Sequence, residues 1–583
     1  MTKASPAATS PAATSLPSRS GRPATGTDEV GERTLDVLIV GAGFGGLYAV
    51  HRLRQLGLSL RAYDAAGGVG GTWWWNRYPG ARVDFPGGPF YCYTFSEELV
   101  REWEWKETQP DQRSVLAYLE YVADKFDLRR DIELNTRIES ARFDEQRQRW
   151  LVETDSGERI SAQFLVCATG TLSAQATNLP DIPGLDDFSG EVYHTGHWPQ
   201  EEDVQFAGKR VGVVGTGSSG VQAIPIIAQS AAHLTVFQRT PQYTVPARNR
   251  PIPTEIGRQS KENWPQLRQN MLTSPQGAPF APQEPRSALE DDAEQRRETY
   301  EQGWEQGALA FISTYADTLT NAEANRHISD FVREKISQIV HDPHVAAKLM
   351  SDYYFATKRQ IFEDGYLETF NRDNVTLVDL REDPIESITA DAVVTREGTH
   401  PLDMLVLATG YDAMTGALRR LNPVGRHGQR LADEWAEGVR THLGLSISGF
   451  PNLFMIHGPE SPSVLFNMPL GAELQTDWIA ECIDHLRTQG LATIEPKPDA
   501  ERGWSAQVKA IADQTLFPHT DSWYTGANIP GKPRQFAIHL AGSEYYRSLA
   551  TEASERYPNF VTHGPLAAPQ PVDEEQLGRA AVG

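Results

Sequence analysis

At roughly 150 residues per unit, the 583 residues provide for about three or four domain-sized units. A formal charge of −23 argues against nucleic acid or an anionic membrane as partner, because both reward clustered Lys and Arg, so small molecules are expected instead. Cys92, Cys167 and Cys482 are far apart and form neither a CxxC pair nor a disulfide framework, which fits core thiols in a reducing cytoplasm.

Residues 1–33 are rich in Ala, Ser, Thr and Pro, almost without large apolar side chains, and read as a disordered tail. The tail has no apolar signal segment, and no later run reaches the roughly 18 apolar residues of a membrane span. Leu35 to Val40 (LDVLIV) has the near-continuous apolar character of a buried parallel strand. Gly41-Ala42-Gly43-Phe44-Gly45-Gly46 follows, then a helix with Leu47, Val50, Leu53 and Leu56 inward and Gly57 as its stop. A second strand, Leu58 to Tyr63, ends at Asp64, 18 residues after Gly46 and placed to hold a ribose hydroxyl. Strand, Gly41/Gly43/Gly46, helix, strand and acid in that order predict a dinucleotide unit with the pyrophosphate at the helix N-terminus.

Next comes GGTWWWNRYPGARVD, Gly70 to Asp84, too aromatic and too charged for an ordinary loop; something flat and polar is expected against it. A helix over Ser114 to Phe126 and a hairpin around Ile138 to Thr154 lead to FLVCATG, Phe164 to Gly170, whose near-copy LDMLVLATG recurs at Leu402 to Gly410. Two such strands imply that each closes a nucleotide unit and that the chain leaves the first unit and returns to it. The second unit lies between them: strand Arg210 to Val214, phosphate turn Gly215-Thr216-Gly217-Ser218-Ser219-Gly220, a helix with a kink expected at Pro225, and strand Leu234 to Gln238. Where the first unit has Asp64, this one has Arg239-Thr240. An arginine pairs with a 2′-phosphate that an acid would repel, so NADPH is the expected cofactor here. Residues 250–345 read as a helical insertion: Pro251, Pro253, Pro265, Pro275, Pro279 and Pro282 mark irregular chain, after which Ile328, Phe331, Val332, Ile336, Ile339 and Val340 trace one helical face. Asp342-Pro343 can cap and start the next helix. The insertion is expected to cover the substrate side.

The fold class is therefore α/β, with two Rossmann-like, doubly wound dinucleotide-binding domains, the first (an FAD domain, as the resemblance given below implies) discontinuous and a helical insertion in the second, the NADP domain. The boundaries are a tail over 1–33, FAD domain 34–175, NADP domain 176–249, insertion 250–345, NADP domain again 346–398, FAD domain again 399–560 and a tail over 561–583. Two dinucleotide sites on one chain imply electron transfer between two cofactors. Disulfide reductases need paired cysteines, which are missing, so oxygen is the expected oxidant. His194 and His197, without further Cys, His or acidic partners, make a poor zinc site, and no metal is expected.

The chain resembles the type I Baeyer–Villiger monooxygenases. Phe188 to Pro199 (FSGEVYHTGHWP) reads as their FxGxxxHxxxWP fingerprint and Gly70 to Asp84 as GGxWxxxxYPGxxxD, and the resemblance runs from about Leu35 to Phe560. It implies FAD in the first unit, held by Gly41, Gly43, Gly46, Asp64, Gly71, Thr72, Trp73, Tyr78 and Asp84. It implies NADPH in the second, held by Gly215, Thr216, Gly217, Ser218, Ser219, Gly220, Arg239, Thr240, Lys358 and Trp523. His194 and Trp198 fall in the linker between the units, with a role in domain movement. Arg359 corresponds to the active-site arginine beside the flavin, oriented by Asp84. A fixed guanidinium is what the chemistry wants, since negative charge develops on oxygen as activated oxygen adds to a ketone. Lys358 corresponds to the lysine near the 2′-phosphate, and Trp523, in SWYTGANIPGKPR, to a tryptophan that hydrogen-bonds the nicotinamide ribose. GPESPSVL, Gly458 to Leu465, resembles the loop shaping the ketone pocket, with Ser463, Val464 and Leu465 as pocket residues.

The implied reaction takes a ketone and O2 to an ester or lactone. The tail, the acidic composition and VDFPGGPFY, Val83 to Tyr91, are similar to actinobacterial enzymes of terpenoid antibiotic pathways of the pentalenolactone type, which implies a bulky cyclic or polycyclic ketone. Two alternatives stand beside this: a flavin-dependent N- or S-monooxygenase, and a nucleotide-binding redox sensor without chemistry.

Overall fold

The computed structural model describes residues 32–565 apart from 86, 87, 89, 202 and 279–285. Most of the expected N-terminal tail, Pro279, Pro282 and the Pro86, Gly87 and Pro89 positions of VDFPGGPFY lie outside the described residues.

Two parallel sheets carry the two units. In the first, the strand order is Ile132–Glu133, Leu60–Tyr63, Arg33–Val40, Arg159–Cys167, Arg149–Thr154 and Ile138–Asp144. Arg33–Val40 is central, paired parallel along both edges, with Val37 opposite Leu60 on one side and Phe164 on the other, and Val37, Leu38 and Ile39 are fully buried. The hairpin expected over Ile138 to Thr154 is the antiparallel edge. Arg159–Cys167 has a divided outer side. Its first half pairs antiparallel with Arg149–Thr154, and Leu165 to Cys167 pair parallel with Leu453–Met455, the strand on which the chain returns.

The second sheet is parallel throughout, in the order Val375–Asp379, His233–Gln238, Arg210–Val214, Met404–Leu407 and Glu191–His194. Here the expected boundary at 399 needs correction. Met404–Leu407 joins the second sheet between Arg210–Val214 and Glu191–His194, so the return to the first unit begins only after it. An apolar run of this kind suits any buried strand, and the sheet it enters is decided by long-range pairing. The C-terminal tail also starts later than 561, because Phe560–His563 pairs antiparallel with Thr493–Pro496. The helix Ser218–Ser230 continues through Pro225.

The insertion is helical from its start. Pro253 is the N-cap of Thr254–Glu262 and Pro265 lies in the first turn of Trp264–Thr273, where a missing N–H costs no hydrogen bond. Trp264, Met271 and Leu272 of the latter helix pack into the core of the first unit. Ala293–Gln306 and Ala322–Ile339 instead bury Tyr300, Trp304, Ile328, Phe331, Val332 and Ile336 in the core of the second. Asp342 caps Pro343–Leu349 by accepting from the His344 and Val345 N–H groups. Among the described residues no helix is long and apolar enough to cross a membrane, and the three cysteines are buried and form no disulfide.

Candidate active site

A cavity of about 1570 Å³ runs between the two units and along the insertion. Both phosphate turns open onto it. The helices Phe44–Arg54 and Ser218–Ser230 begin at Gly43 and Gly217 without any side-chain cap, so their first N–H groups are left for an anion. Gly43 packs backbone to backbone on Gly71, whose φ is +55°, and a Cβ on Gly43 would stand 3.4 Å from the Gly71 Cα. The first turn and the aromatic fingerprint thus form one cradle. Gly41, Gly43, Gly71, Thr72 and Trp73 line the cavity, as do Gly215, Thr216, Gly217, Ser218 and Ser219. Gly46 and Gly220 are not on its lining; they let each helix close onto the carbonyl of Gly41 or Gly215 beneath it.

Asp64 lies on the lining with its carboxylate accepting from the Ala42 N–H at 2.6 Å and the Ala66 N–H at 2.8 Å. Burial pushes its pKa up, against the pull of those two donors. In the second unit Arg239 and Thr240 also face the cavity, and Lys358 comes close to Arg239. Burial, then Arg239, holds the Lys358 ammonium below its usual pKa; its Nζ donates to the Asp521 carbonyl at 2.6 Å and sits 4.8 Å from the Tyr353 ring centroid. Two cations brought together on the cavity wall suit a phosphate. The uncapped helices, the glycine cradle and this cation pair fit two dinucleotides.

Arg359 sits just before the strand Ile361–Glu363, which pairs with Thr244–Pro246 where the insertion leaves the second unit. Its approach is fixed by Asn325 of the insertion, which donates to the Phe355 carbonyl at 3.0 Å and accepts from the Phe355 N–H at 2.8 Å. One step on, the Thr357 hydroxyl meets that of Thr520 at 2.7 Å. The guanidinium is bidentate on Asp84, Nε to Oδ2 and Nη2 to Oδ1, both at 2.7 Å, and Nη1 donates to the Val464 carbonyl. Burial disfavours its charge, but Asp84 and then Tyr524 outweigh this and raise its pKa. Arg359 is therefore a permanent cation facing the cavity.

Trp523, half-buried, lines the cavity with Val464 and Leu465, and its segment is anchored by Lys532, which pairs with Asp412 at 2.5 Å. Ser463 turns away from the cavity into the interior; its neighbours in the loop carry the lining. Leu309, Ile312 and Leu319 of the insertion complete this wall, together with Phe517 and Leu540.

The fingerprints also form the seam between the units. Tyr78 lines the cavity and donates to Gln222 Oε1 at 2.8 Å, on the second unit's helix, and Gly80, at φ +80°, lies against the Gln222 carbonyl. His194 is buried; its Nδ1 accepts from the Gly196 N–H at 3.0 Å and its Nε2 lies 3.3 Å from the Thr409 hydroxyl. Burial and the neighbouring His197 lower its pKa to about 4. His197 donates from Nε2 to the Ala174 carbonyl at 2.6 Å and packs edge-on against Trp75. Trp198 is buried against Tyr193 and Phe206. Neither His194 nor Trp198 touches the cavity. Gln222 and Tyr524 were not singled out from sequence; the only signal for the second was a second aromatic beside Trp523 in a Gly-rich segment.

Fold and site together define a two-dinucleotide oxidoreductase, and the profile described as pyridine nucleotide-disulphide oxidoreductase matches residues 35–263. Along 526 residues the chain is 43% identical to an acetone monooxygenase (methyl acetate-forming) of Gordonia sp. (strain TY-5), covering 89% of this chain and 97% of that one. A phenazine N-monooxygenase of Lysobacter antibioticus is 40% identical, with coverage of 91% and 97%. The structure of an oxidized steroid monooxygenase bound to NADP superposes with a TM-score of 0.86 at 48% identity, over 91% of this chain and 99% of that chain. The chain belongs to the type I Baeyer–Villiger monooxygenases, FAD- and NADP-dependent oxidoreductases.

Proposed function

We propose that the protein uses NADPH and O2 to insert one oxygen atom beside the carbonyl of a bulky cyclic or polycyclic ketone, giving an ester or lactone. The observation that carries this reading is the Arg359–Asp84 pair, a permanently charged guanidinium fixed on the wall of the cavity that both dinucleotide sites share. When bound, FAD reduced by NADPH supplies the activated dioxygen. Arg359 then stabilises negative charge on the reacting oxygens. Asp84 and the Val464 carbonyl hold it in place. Arg239 and Lys358 select the 2′-phosphate, and Trp523 closes over the nicotinamide side. Leu309, Ile312, Leu319, Leu465, Phe517 and Leu540 exclude water and favour an apolar ring system, with a fused-ring terpenoid ketone as the preferred substrate.

The test is ketone-dependent NADPH oxidation by the yellow holoprotein, with mass analysis of products, across acetone, cyclohexanone and fused-ring ketones. Ester or lactone 16 mass units above the ketone, with kcat/KM rising toward the larger rings, is expected. Oxidation of NADPH without any ester overturns the reading. Similarity to a phenazine N-monooxygenase favours N-oxygenation as a second reading, and phenazine in the same panel decides between them. A redox sensor without chemistry would consume no NADPH with any of these compounds.

A further inference from the structure

A guanidinium has five N–H groups. On Arg359, Asp84 takes two and the Val464 carbonyl a third, which leaves two N–H groups for a further acceptor. Tyr524 stands beside it in the short turn Trp523–Thr525. The phenol is 2% exposed, with Trp523, Phe517 and Phe536 around it at ring-centroid distances of 4.3, 5.8 and 6.2 Å. Its ring lines the cavity, and its covered hydroxyl lies against the Arg359 guanidinium without a well-formed hydrogen bond. A buried hydroxyl is costly to leave unsatisfied, and one of the two remaining guanidinium N–H groups would satisfy this one.

We propose that Tyr524 is a positioning residue for Arg359: its neutral hydroxyl accepts one of the two remaining guanidinium N–H groups and keeps the cation turned toward the cavity while the ketone reacts. The inference rests on the oxygen-insertion reading above. No proton leaves the phenol in this role. The charged groups bearing on it are Arg359 and Asp84. Burial raises the phenol's pKa while Arg359 draws it down, and the outcome is a raised value, so the hydroxyl stays neutral at ordinary pH. A phenolate would instead pair with Arg359 and quench the field that the reaction uses.

The experiment compares FAD-loaded wild type, Tyr524→Phe and an enzyme carrying 2,3,5-trifluorotyrosine at 524, with one ketone that the wild type converts. Fluorination keeps the ring and acidifies the hydroxyl. Tyr524→Phe is expected to lower kcat for ester formation about tenfold, the loss of one charge-assisted hydrogen bond. A larger share of the NADPH oxidised should end as hydrogen peroxide, with KM for the ketone moving by less than about threefold. The trifluorotyrosyl enzyme should lose ester formation at lower pH than wild type, which a packing role would not produce. An unchanged kcat and product partition in Tyr524→Phe overturns the proposal, as does an alkaline limit common to wild type and trifluorotyrosyl enzyme. A wild type that reduces its flavin yet forms no ester from any ketone overturns the functional reading itself.

Discussion

Asp84 lines the cavity and grips Arg359, and a double-mutant cycle tests whether it acts on the chemistry through Arg359 alone. The carboxylate supplies two of the three hydrogen bonds that fix the guanidinium, both at 2.7 Å, with the side chains 25% and 24% exposed. Arg359→Ala removes the cation facing the reacting oxygens, so ester-forming kcat should fall about 10²- to 10³-fold, as for the loss of a donor to a developing oxyanion. Asp84→Ala leaves the charge but removes its two strongest anchors, and a loss of about ten- to a hundredfold is expected from a charge-assisted pair worth about 1.5–3 kcal/mol. If Asp84 acts only through Arg359, the double variant loses no more than Arg359→Ala alone, within about threefold. The assay is ester formed per NADPH consumed, with FAD content matched between samples. Losses in the double variant that multiply those of the singles would refute the reasoning and give Asp84 a task of its own.

Arg239→Gln should lower the preference for NADPH over NADH about 10- to 100-fold in kcat/KM, the worth of one bidentate arginine–phosphate contact; an unchanged ratio removes Arg239 from the phosphate site. Gly80→Ala puts a Cβ onto the Gln222 carbonyl oxygen at a left-handed φ of +80°, so the melting temperature should drop by several degrees for a cost of about 1–3 kcal/mol. A wild-type melting curve would show that the seam yields freely there. His442 is buried, and burial lowers its pKa to about 4. From pH 6.5 down to 4 the unfolded chain takes up a proton that the folded chain refuses, and stability falls by about 1.4 kcal/mol per pH unit for this group. Because the buried Glu363, Glu460, Glu473 and Glu501 have raised pKa values and titrate in the opposite sense, the test is the difference between proteins. His442→Asn should lose less of its melting temperature than wild type between pH 7 and pH 5, and parallel curves would contradict this.

The nucleotide units are legible in the sequence because their signals are local: an apolar strand, a glycine-rich turn, a helix, and an acid or a base at the next strand's end. Position along the chain could not say which sheet Met404–Leu407 enters, since its burial pattern would satisfy either. The prolines at 253 and 265 suggest irregular chain when read alone, yet at an N-cap and in a first helical turn they cost no hydrogen bond. Tyr78 reads as a cofactor residue and also binds Gln222, a partner 144 residues away that no motif spacing announces. Ser463 was expected on the pocket with Val464 and Leu465, but it is fully buried and off the lining, to which Val464, Leu465 and Phe466 contribute.

The divided outer side of Arg159–Cys167 bears on how the polypeptide matures. Every strand of the second sheet has been made once residue 407 is joined, whereas the first sheet lacks a member until residue 455. Domains usually settle in the order in which they leave the ribosome. Here the later-starting unit is complete first, and the earlier one must wait with a bare edge until the returning segment arrives. A nascent chain stopped near residue 440 should therefore carry a finished nicotinamide half beside an unfinished flavin half, and acquire its yellow colour only as the last quarter emerges.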